Sequence, residues 1–256
     1  MDITNRKLGC ILASAIADAA AQPLHWIYDL EKFQATVGNA EEIEFWSPSA
    51  NAFYCLETGK QSCYGDQTHA ILISLARQKE FDLEDLKKAT YKMFGPDSEY
   101  AMMEEALKTG LPIKSGWRNG SIKYFLKKME SNSEETGNPD DAQIDGVTKL
   151  APLVAMYAGH PDLLFHVEDV IRMTQDDDMA VVSALTAARI IERCLLTTNT
   201  SDTMLDVVKH VMNCLAANDR TNPQDLDRAM ISFLKEVIDS KDVPHTEVVP
   251  KRFVNS

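Results

Sequence analysis

The stretch GCILASAIADAAAQPLHW, residues 9–26, decides the fold, because its first half is apolar on every side of a helix. Glycine, alanine and serine fill most of positions 9–21, and such small side chains let neighbouring helices approach closely. A helix that is apolar all round is typical of a domain interior. We therefore predict a helix over residues 6–22 in the middle of the molecule. Asp18 lies within it, and we expect its carboxylate to be at least half buried and to have a partner.

Helical spacing of apolar residues continues along the chain from this stretch. In residues 176–196 the predicted inward positions are Val181, Ala184, Leu185, Ala188, Ile191 and Leu195, with Arg189, Glu192 and Arg193 facing outward. Further helices are predicted near 68–79, 82–94, 99–108, 119–130, 146–158, 162–173, 201–216 and 222–239. The pattern predicts one all-α domain over residues 1–256, with too many helices for a four-helix bundle.

Polar residues mark the predicted starts of the last two helices. Ser201 is the predicted cap of one of them and Asn222 the predicted cap of the other. Strand signals are weak, and the candidate at 245–254 is interrupted by a proline. The acidic, polar run 131–145 is predicted to be a mobile loop.

The balance of charge excludes some partners. The 256 residues carry 39 acidic and 26 basic side chains, a net charge of −13. Such a chain is not expected to bind the phosphate backbone of nucleic acid or an anionic membrane surface. The charge suits a protein that stays dissolved at high concentration, because like-charged molecules repel, and it also suits a cation site.

The cysteines indicate the cellular compartment. There are five, scattered and without a CxxC pair, which is typical of a reduced protein inside the cell. The opening residues MDITNRK lack the apolar segment of a secretion signal, and no apolar run approaches the length of a membrane span. We expect a cytoplasmic location.

The stretch CYGDQTHAIL, residues 63–72, contains the strongest candidate for a metal site. Asp66, Gln67 and Thr68 offer a carboxylate, an amide carbonyl and a hydroxyl, which are the oxygen ligands that Mg²⁺ prefers. The same residues fit an ordinary helix N-terminus, in which Asp66 caps free amides and its charge favours the helix dipole. Residue types alone favour the helix start.

Three further features are candidates for a binding pocket. The acidic run 176–178, with Asp177 at its centre, precedes a long predicted helix, where carboxylates favour the positive end of the dipole. His25, next to a tryptophan, is more typical of a packed, hydrogen-bonded imidazole than of a base. Trp117 offers a ring for stacking against a nucleotide, although a role in the core is commoner.

Taken together, four segments resemble the ADP-ribosylglycohydrolase family, and most closely its J1-crystallin branch. Residues 9–29 fall where the family has a glycine-rich helix, an aspartate and a proline after a short linker. Residues 62–76 fall where the family reads Thr-Asp-Asp-Thr. Residues 146–159 fall where it has Met-Arg-x-Ala-Pro, and 173–190 where it often has Thr-His.

The resemblance implies an orthogonal helical bundle with a central cleft. Active members of the family bind two Mg²⁺ ions there and remove ADP-ribose from a side chain or a small molecule. Most of their metal ligands come from the Thr-Asp-Asp motif and from a second, Asp-Thr-Asp motif near the C-terminus. ADP-ribose or a related nucleotide conjugate is therefore the implied partner, and Mg²⁺ the implied cofactor.

This sequence departs from the family at both motifs. In the first, Asp66 and Thr68 match, but Gly65 stands at the threonine position and Gln67 at the second aspartate. The second motif does not occur before Ser256, which leaves two alternatives open: a truncated form, or the absence of the family's closing segment.

Two more substitutions fall in the implied substrate pocket. His25 stands where active relatives have a glutamate, and Gln175 where they have a histidine. Asp18 matches the family's aspartate, and Trp117 and Asp177 are added from their residue types. The predicted substrate pocket consists of Asp18, His25, Trp117, Gln175 and Asp177.

The departures at the two metal motifs reduce the negative charge available to hold two Mg²⁺ ions. Two Mg²⁺ ions about 4 Å apart repel by roughly 17 kcal/mol at an effective dielectric constant near 20, and several carboxylates must offset that repulsion. Asp66 is the single matched carboxylate, so a two-metal site is not expected. One Mg²⁺, held by Asp66, Gln67 and Thr68 together with water, remains the alternative.

Three functions stay open from the sequence. The first is a soluble, J1-crystallin-like structural protein of the eye lens, with a degenerate metal site. The second is a Mg²⁺-dependent hydrolase that removes ADP-ribose, with Asp66 as its catalytic residue. The third is a non-catalytic binder of ADP-ribose. Apolar surface left uncovered on helices 176–196 and 201–216 would favour a homo-oligomer.

Overall fold

The computed structural model describes residues 2–197 and 201–252, and along them α-helices follow one another through short loops. The α-helices are α1 (Ile3–Ala21), α2 (Leu30–Val37), α3 (Cys63–Gln78), α4 (Leu83–Phe94), α5 (Met103–Leu107), α6 (Gly120–Glu130), α7 (Ala151–Tyr157), α8 (Leu163–Arg172), α9 (Asp178–Leu196), α10 (Met204–Ala216), α11 (Asp227–Asp239) and α12 (His245–Arg252). Two 3₁₀ helices, Gln22–Leu24 and Ile144–Lys149, follow α1 and precede α7. The chain is therefore all-helical, as predicted.

Helix α9 lies at the centre of the molecule. It packs against α1, α7, α8, α10, α11 and the 3₁₀ helix Ile144–Lys149. Val181, Ala184, Leu185 and Ala188 are completely buried on it and Leu195 is 5% exposed, which confirms five of its six predicted inward positions. The sixth, Ile191, is partly buried against the larger hydrophobic cluster. Small residues one helical turn apart let the surrounding helices approach closely.

The predicted outward position of Arg189 on α9 is wrong. Arg189 is only 7% exposed, and its Nη2 donates to the Thr221 carbonyl at 2.7 Å. The side chain is buried because α10 and the loop that follows it cover this side of α9.

Two hydrophobic clusters share α9. The larger joins α3, α4, α6, α7, α8 and α9 and includes Phe94, Phe125 and Leu185. The smaller joins α9 to α10 and α11, and its members are Val182, Val211, Leu215, Met230 and Leu234. Helices α10 and α11 are thus attached to the rest of the molecule mainly through one face of α9.

Helix α1 contradicts the expectation of a central position. It packs on α3, α7 and α9, but of its 19 residues, all of which the structure describes, Ala19 is the one that is buried. Leu8, Leu12 and Ile16 are 53%, 52% and 57% exposed. Helix α1 forms and is apolar, as predicted, but the described residues cover only one side of it.

The first turn of α3 also differs from the prediction. The helix begins at Cys63 rather than near residue 68, and its N-cap is Ser62, whose side chain accepts from the Tyr64 amide. Asp66 therefore lies inside the first turn and is not the cap. A serine before the helix offers the capping oxygen, so the backbone starts its turn there.

Two other predicted caps are wrong. Helix α10 is capped by Thr203, which forms a capping box with Asp206, rather than by Ser201. Helix α11 begins at Asp227, so Asn222 is not its cap. Asn222 has a φ of 50°, and its side-chain amide donates a hydrogen bond to Glu168 Oε2 at 2.8 Å.

The weak strand candidate at 245–254 is not a strand over its described residues. Helix α12 occupies His245–Arg252, and residues 253 and 254 lie outside the described part. The proline there does not break the helix, although it removes one backbone donor. Helix α2 was not predicted, and α5 is shorter than the predicted 99–108.

The acidic segment 131–145 is irregular up to residue 143, as predicted. Thr136 is buried and its hydroxyl donates to the Met173 carbonyl at 2.8 Å, and Asn138 forms an isolated bridge with Gln175. These contacts tie the segment to the end of α8. Its mobility stays a prediction.

No described helix combines the length and the apolar character that crossing a membrane requires.

Candidate functional site

The start of α3 lies directly against Asp18 of α1. The Asp18 carboxylate accepts hydrogen bonds from the Ser62 amide at 2.7 Å and from the Ser62 hydroxyl at 2.6 Å. Its negative charge thus lies at the positive end of the α3 dipole, where it is stabilising. The partner expected for Asp18 is confirmed, and it is the residue that caps α3.

Gly65 makes this close approach of α1 and α3 possible. A Cβ atom at Gly65 would lie 2.3 Å from Asp18 Oδ2 and 2.1 Å from Gln61 Oε1. A side chain at position 65 would therefore displace Asp18 from Ser62. The threonine that the resemblance leads one to expect here has no room beside Asp18 in its present position.

Asp66 is held by a tyrosine from a distant part of the chain. The Tyr100 hydroxyl donates to Asp66 Oδ2 at 2.6 Å, and the Tyr100 ring packs against Phe94 with their centroids 4.6 Å apart. Burial raises the pKa of Asp66, while the hydrogen bond from Tyr100 and the nearby His69 oppose that shift. One oxygen of this carboxylate is thus already engaged within the protein.

Gln67 and Thr68 point away from Asp66. Neighbouring positions in a helix are about 100° apart around its axis, so three consecutive side chains do not face one another. The Gln67 amide donates to the Cys63 carbonyl at 3.2 Å. The Thr68 hydroxyl lies 3.1 Å from the Tyr64 carbonyl oxygen and 3.2 Å from that of Thr148. Both side chains are buried in helix packing.

A second polar group lies at the 3₁₀ helix Ile144–Lys149. Asn119, the cap of α6, donates to Asp145 Oδ2 at 2.8 Å, while Asp145 Oδ1 is buried and has no hydrogen-bond partner among the described residues. Burial raises the pKa of Asp145, and the bond from Asn119 opposes the shift. Lys149 is 2% exposed and donates to the Thr174 hydroxyl at 2.6 Å. Burial lowers the pKa of Lys149 to about 8, with Asp145 and Asp141 opposing.

Gln175 anchors the 131–145 segment beside this group. Its amide nitrogen donates to the Gln143 carbonyl at 2.7 Å, and the side chain is 1% exposed. In this position the amide closes the junction between α8 and α9. Its role in a substrate pocket stays a prediction.

Buried Cys63 links the two polar groups. Burial raises the pKa of its thiol, and the carboxylates of Asp145, Asp18 and Asp66 raise it further. The three carboxylates therefore all lie close enough to Cys63 for their charges to act on its thiol. Each of them is bound by a different donor, and those donors come from three separate elements.

His25 and Trp117 belong to one aromatic cluster, in which both rings contact Trp26. His25 Nδ1 lies 3.2 Å from the Tyr54 hydroxyl, and its ring is 4.6 Å from that of Trp26. Trp117 meets Trp26 edge to face at 5.8 Å and Phe53 at the same distance. Burial lowers the pKa of His25, and Asp18 opposes that shift. The expectation of a packed, hydrogen-bonded imidazole is confirmed.

Among the described residues, no contact links Asp177 to Asp18, Asp66 or the aromatic cluster. It is the N-cap of α9, and its Oδ1 accepts from the amides of Met179 at 2.8 Å and Ala180 at 3.2 Å. The neighbouring Asp176 and Asp178 both pair with Arg172. The acidic run therefore marks a helix start, and a substrate contact by Asp177 stays a prediction.

The residues present do not fit a resident Mg²⁺ ion. Over residues 2–197 and 201–252, three or more His, Cys, Asp or Glu side chains nowhere come together as a metal site. The proposed ligands Asp66, Gln67 and Thr68 point in three directions, and Asp66 and Asp18 each have a donor of their own. We therefore derive no chemical step through a metal ion.

Sequence reasoning missed five residues that organise the site: Ser62, Tyr100, Asn119, Asp145 and Lys149. The cap at Ser62 had a local signal, since a serine stands immediately before an apolar helical pattern. Tyr100 had none, because it meets Asp66 across 34 positions of sequence. Contacts of this kind depend on how the helices pack.

The comparisons with known proteins are consistent with this fold. A family model described as ADP-ribosylglycohydrolase matches residues 1–254. Crystallin J1A of Tripedalia cystophora is 36% identical over 192 residues, which cover 75% of this chain and 59% of the relative. Crystallin J1B of the same organism is 33% identical over 211 residues, 82% of this chain and 65% of the relative. The chain spans less than two thirds of the length of these curated relatives.

One solved structure gives an independent comparison of the fold. It is titled "ADP-ribosylglycohydrolase-related protein complex" and aligns with a TM-score of 0.53 at 17% identity. The alignment covers 82% of this chain and 60% of the other. At that identity the likeness shows the helical architecture alone.

Proposed function

This chain belongs to the ADP-ribosylglycohydrolase family, and from that premise we propose that it is a structural protein like the J1 crystallins rather than a hydrolase. The observation that carries the proposal is the state of the carboxylates around α3. Ser62 binds Asp18, Tyr100 binds Asp66 and Asn119 binds Asp145. Such bonds stabilise the fold, and among the described residues each of these three carboxylates has at least one oxygen engaged by a donor of the protein.

The cost of restoring a metal site supports the same proposal. A divalent ion at Asp66 would have to compete with the Tyr100 hydroxyl, and the loss of a hydrogen bond to a charged group costs about 1.5–3 kcal/mol. Gln67 and Thr68 would also have to leave buried positions in α3.

The surface charge suits a protein that is made in large amounts. At a net charge of −13, copies repel one another at a distance and stay dissolved at high concentration. The two relatives at 36% and 33% identity are both named crystallins. We extend that role, and with it a place in a lens-like tissue, to this chain as part of the proposal.

A location inside the cell belongs to the same proposal. The cysteines Cys10, Cys55, Cys63, Cys194 and Cys214 are all free. Free thiols persist where the surroundings are reducing, as in the cytoplasm.

The alternative function is hydrolysis of an ADP-ribosyl conjugate with Mg²⁺. Its support is the family model, which matches residues 1–254. In that case Asp66 would be the catalytic residue, and Asp18 and His25 would contact the substrate. Binding of ADP-ribose without turnover is a third outcome, for which the Trp26–Trp117 aromatic cluster would supply the stacking surface.

The test is a hydrolase assay on the purified chain. The chain is incubated with an ADP-ribosylated peptide and millimolar Mg²⁺, and free ADP-ribose is measured by mass spectrometry. We expect no release above the blank, for the native chain and for Asp66→Asn alike. Release by the native chain that disappears in Asp66→Asn would establish the hydrolase instead.

A binding measurement separates the remaining outcomes. Calorimetry with Mg²⁺ and with ADP-ribose should give no heat, and Mg²⁺ should leave the melting temperature where an equal ionic strength of KCl leaves it. A ligand at a hundred times its Kd adds about 2.7 kcal/mol, so even moderate binding is visible. Heat with ADP-ribose but no turnover would identify a binder.

A further inference from the structure

A cavity of about 390 Å³ lies between α9 and α10. Helix α9 contributes Arg189 and Arg193, which stand one turn apart, and α10 contributes His210 and Cys214 in the same relation. Arg220, from the loop that follows α10, lines it as well. The volume is within the range of sites that hold a small molecule.

Arg189 carries a buried positive charge on the wall of this cavity. The side chain is 7% exposed, its Nη2 donates to the Thr221 carbonyl at 2.7 Å, and its Nη1 is buried without a hydrogen-bond partner among the described residues. Arg193 Nε is buried and unpartnered in the same sense. A buried charged donor without an acceptor is costly. Two guanidinium groups on one face of α9 therefore have donors for a bound acceptor.

The other two arginines of the cavity have carboxylate partners within the chain. Arg220 pairs with Asp227 at 2.6 Å, and Arg193 Nη2 pairs with Asp202 at 3.3 Å. Over the described part of the chain, Arg189 has no such ion pair, although burial lowers its pKa and the charge of Asp227 opposes that shift. The charge of Arg189 is thus the least compensated of the three.

The remaining walls limit the chemistry of a ligand. Leu164, Leu196 and Val211 line the cavity with aliphatic side chains. The carboxylates of Glu192 and Asp219 line it as well, and they repel a ligand that carries two negative charges. These walls favour a molecule with one negative charge and an apolar part.

We propose that this cavity binds a small organic molecule with a single carboxylate group. The carboxylate accepts hydrogen bonds from Arg189 and Arg193, and the apolar part packs on Leu196 and Val211. A guanidinium presents five donors in a planar fork that matches the two oxygens of a carboxylate, and rotation about the side-chain bonds directs free donors toward it. The site uses none of the described residues at the start of α3, so it is independent of the proposed function.

A water molecule between Arg189 and Asp227 is the alternative occupant. Asp227 is completely buried, and its Oδ1 has no hydrogen-bond partner among the described residues. Its charge acts on Arg189, so the two groups are near each other. Buried waters commonly bridge polar groups of this kind. If water satisfies Arg189, no added carboxylate should bind.

Calorimetry of the full chain with four probes at one ionic strength tests the proposal. Benzoate should bind at least about tenfold more tightly than acetate, which lacks the ring, and than benzamide, which lacks the charge. Inorganic phosphate, mostly a dianion at about pH 8, should bind more weakly than benzoate, because Glu192 and Asp219 repel its second charge. No heat with benzoate overturns the proposal, as does equal binding of benzamide.

Variants of the arginines show whether the heat comes from this cavity. Arg189→Met should weaken benzoate binding at least about tenfold, because it removes the charged donors. Arg77→Met is the matched control: it changes the net charge equally, but Arg77 is on α3 and pairs with Asp85. Arg193→Met carries the test if circular dichroism shows that Arg189→Met does not fold, since the Arg193 side chain is 36% exposed. Native affinity in both cavity variants would contradict the proposal.

Alkylation of Cys214 locates the bound probe independently. Its thiol is free and lines the cavity, 3.5 Å from His210 Nε2. Benzoate at ten times its Kd should slow the reaction of Cys214 with iodoacetamide by up to about tenfold, as measured by mass spectrometry. Cys55, which is also free and partly buried but does not line the cavity, is the control. Equal rates for Cys214 with and without benzoate would place the probe elsewhere and overturn the assignment.

Discussion

Position 65 shows how one residue controls the contact between two helices. Gly65 gives Asp18 the space to reach Ser62, and that contact joins α1 to the start of α3. A larger residue at position 65 would move the Asp18 carboxylate, so the glycine and the structural use of Asp18 depend on each other.

Lys149 carries a prediction for the dependence of stability on pH. Burial lowers its pKa from 10.5 to about 8 in the folded chain. Between those values the unfolded chain binds a proton that the folded chain has released, so the free energy of unfolding rises with pH. Relative to Lys149→Met, the native chain should gain up to about 1.4 kcal/mol per pH unit from about pH 8 upward.

Urea unfolding at several pH values measures this difference. Comparison with a variant is needed because Cys63, Tyr54 and Tyr100 have raised pKa values, which make the folded state less stable as alkali ionises them in the unfolded chain. These residues are present in both proteins, so their contributions cancel. Lys92→Met on the exposed side of α4 is the control, and its difference from the native chain should stay flat. An equally flat result for Lys149→Met would contradict the lowered pKa.

At the scale of the element, helix starts account for several polar residues, among them Asp177, which the sequence offered as a pocket residue. Ser62 caps α3, Asn119 caps α6, Thr203 caps α10 and Asp177 caps α9. A helix leaves its first four amides without partners inside the helix. Polar side chains collect at these positions whether or not the protein has a catalytic function.

The cap of α9 gives a prediction at this scale. Asp177→Ala removes the acceptor of two backbone amides and should lower the free energy of unfolding by about 1 kcal/mol, in the range 0.5–2. The whole molecule should be destabilised, because α9 carries residues of both hydrophobic clusters. Urea unfolding followed by circular dichroism measures it.

The adjacent residue supplies the matched control. Asp178 pairs with Arg172 at 3.0 Å, but its side chain is 72% exposed, and surface ion pairs contribute little. Asp178→Ala should therefore change stability by less than about 0.5 kcal/mol. Equal losses at the two positions would mean that charge near the helix end, rather than the cap, is the cause.

At the scale of the whole molecule, the two hydrophobic clusters should differ in stability. The larger cluster joins six helices, whereas α10 and α11 depend on the smaller one at α9. Local unfolding begins where fewer apolar contacts hold an element. We expect the amides of α10 and α11 to exchange with deuterium before those of α3, α7 and α9, as measured by mass spectrometry.

Two core truncations sharpen this expectation. Leu215 is 2% exposed in the smaller cluster and Phe125 is completely buried in the larger. Leu215→Ala should cost about 2–5 kcal/mol and accelerate exchange mainly in α10 and α11. Phe125→Ala should cost about 3–5 kcal/mol and accelerate exchange throughout the molecule. Identical exchange patterns for the two variants would show a single cooperative unit.

The amino-acid sequence by itself determined the helical class, the family and the inward face of α9. Each of these depends on local periodicity or on short motifs, which are visible in the order of residues. The need of Asp18 for a partner was also visible, because a carboxylate inside an apolar helix cannot remain unpaired.

Tertiary structure alone decided which polar groups meet and which faces stay open. Tyr100 reaches Asp66, and Lys149 reaches Thr174, across stretches of chain whose local patterns carry no trace of the contact. The composition of α1 predicts a buried helix, whereas one of its faces is exposed among the described residues. An apolar sequence shows which side chains favour burial, but not which other elements pack on them. The reason is physical: helix periodicity is set by neighbours within a few residues, whereas hydrogen bonds and burial between helices depend on how all of them pack together.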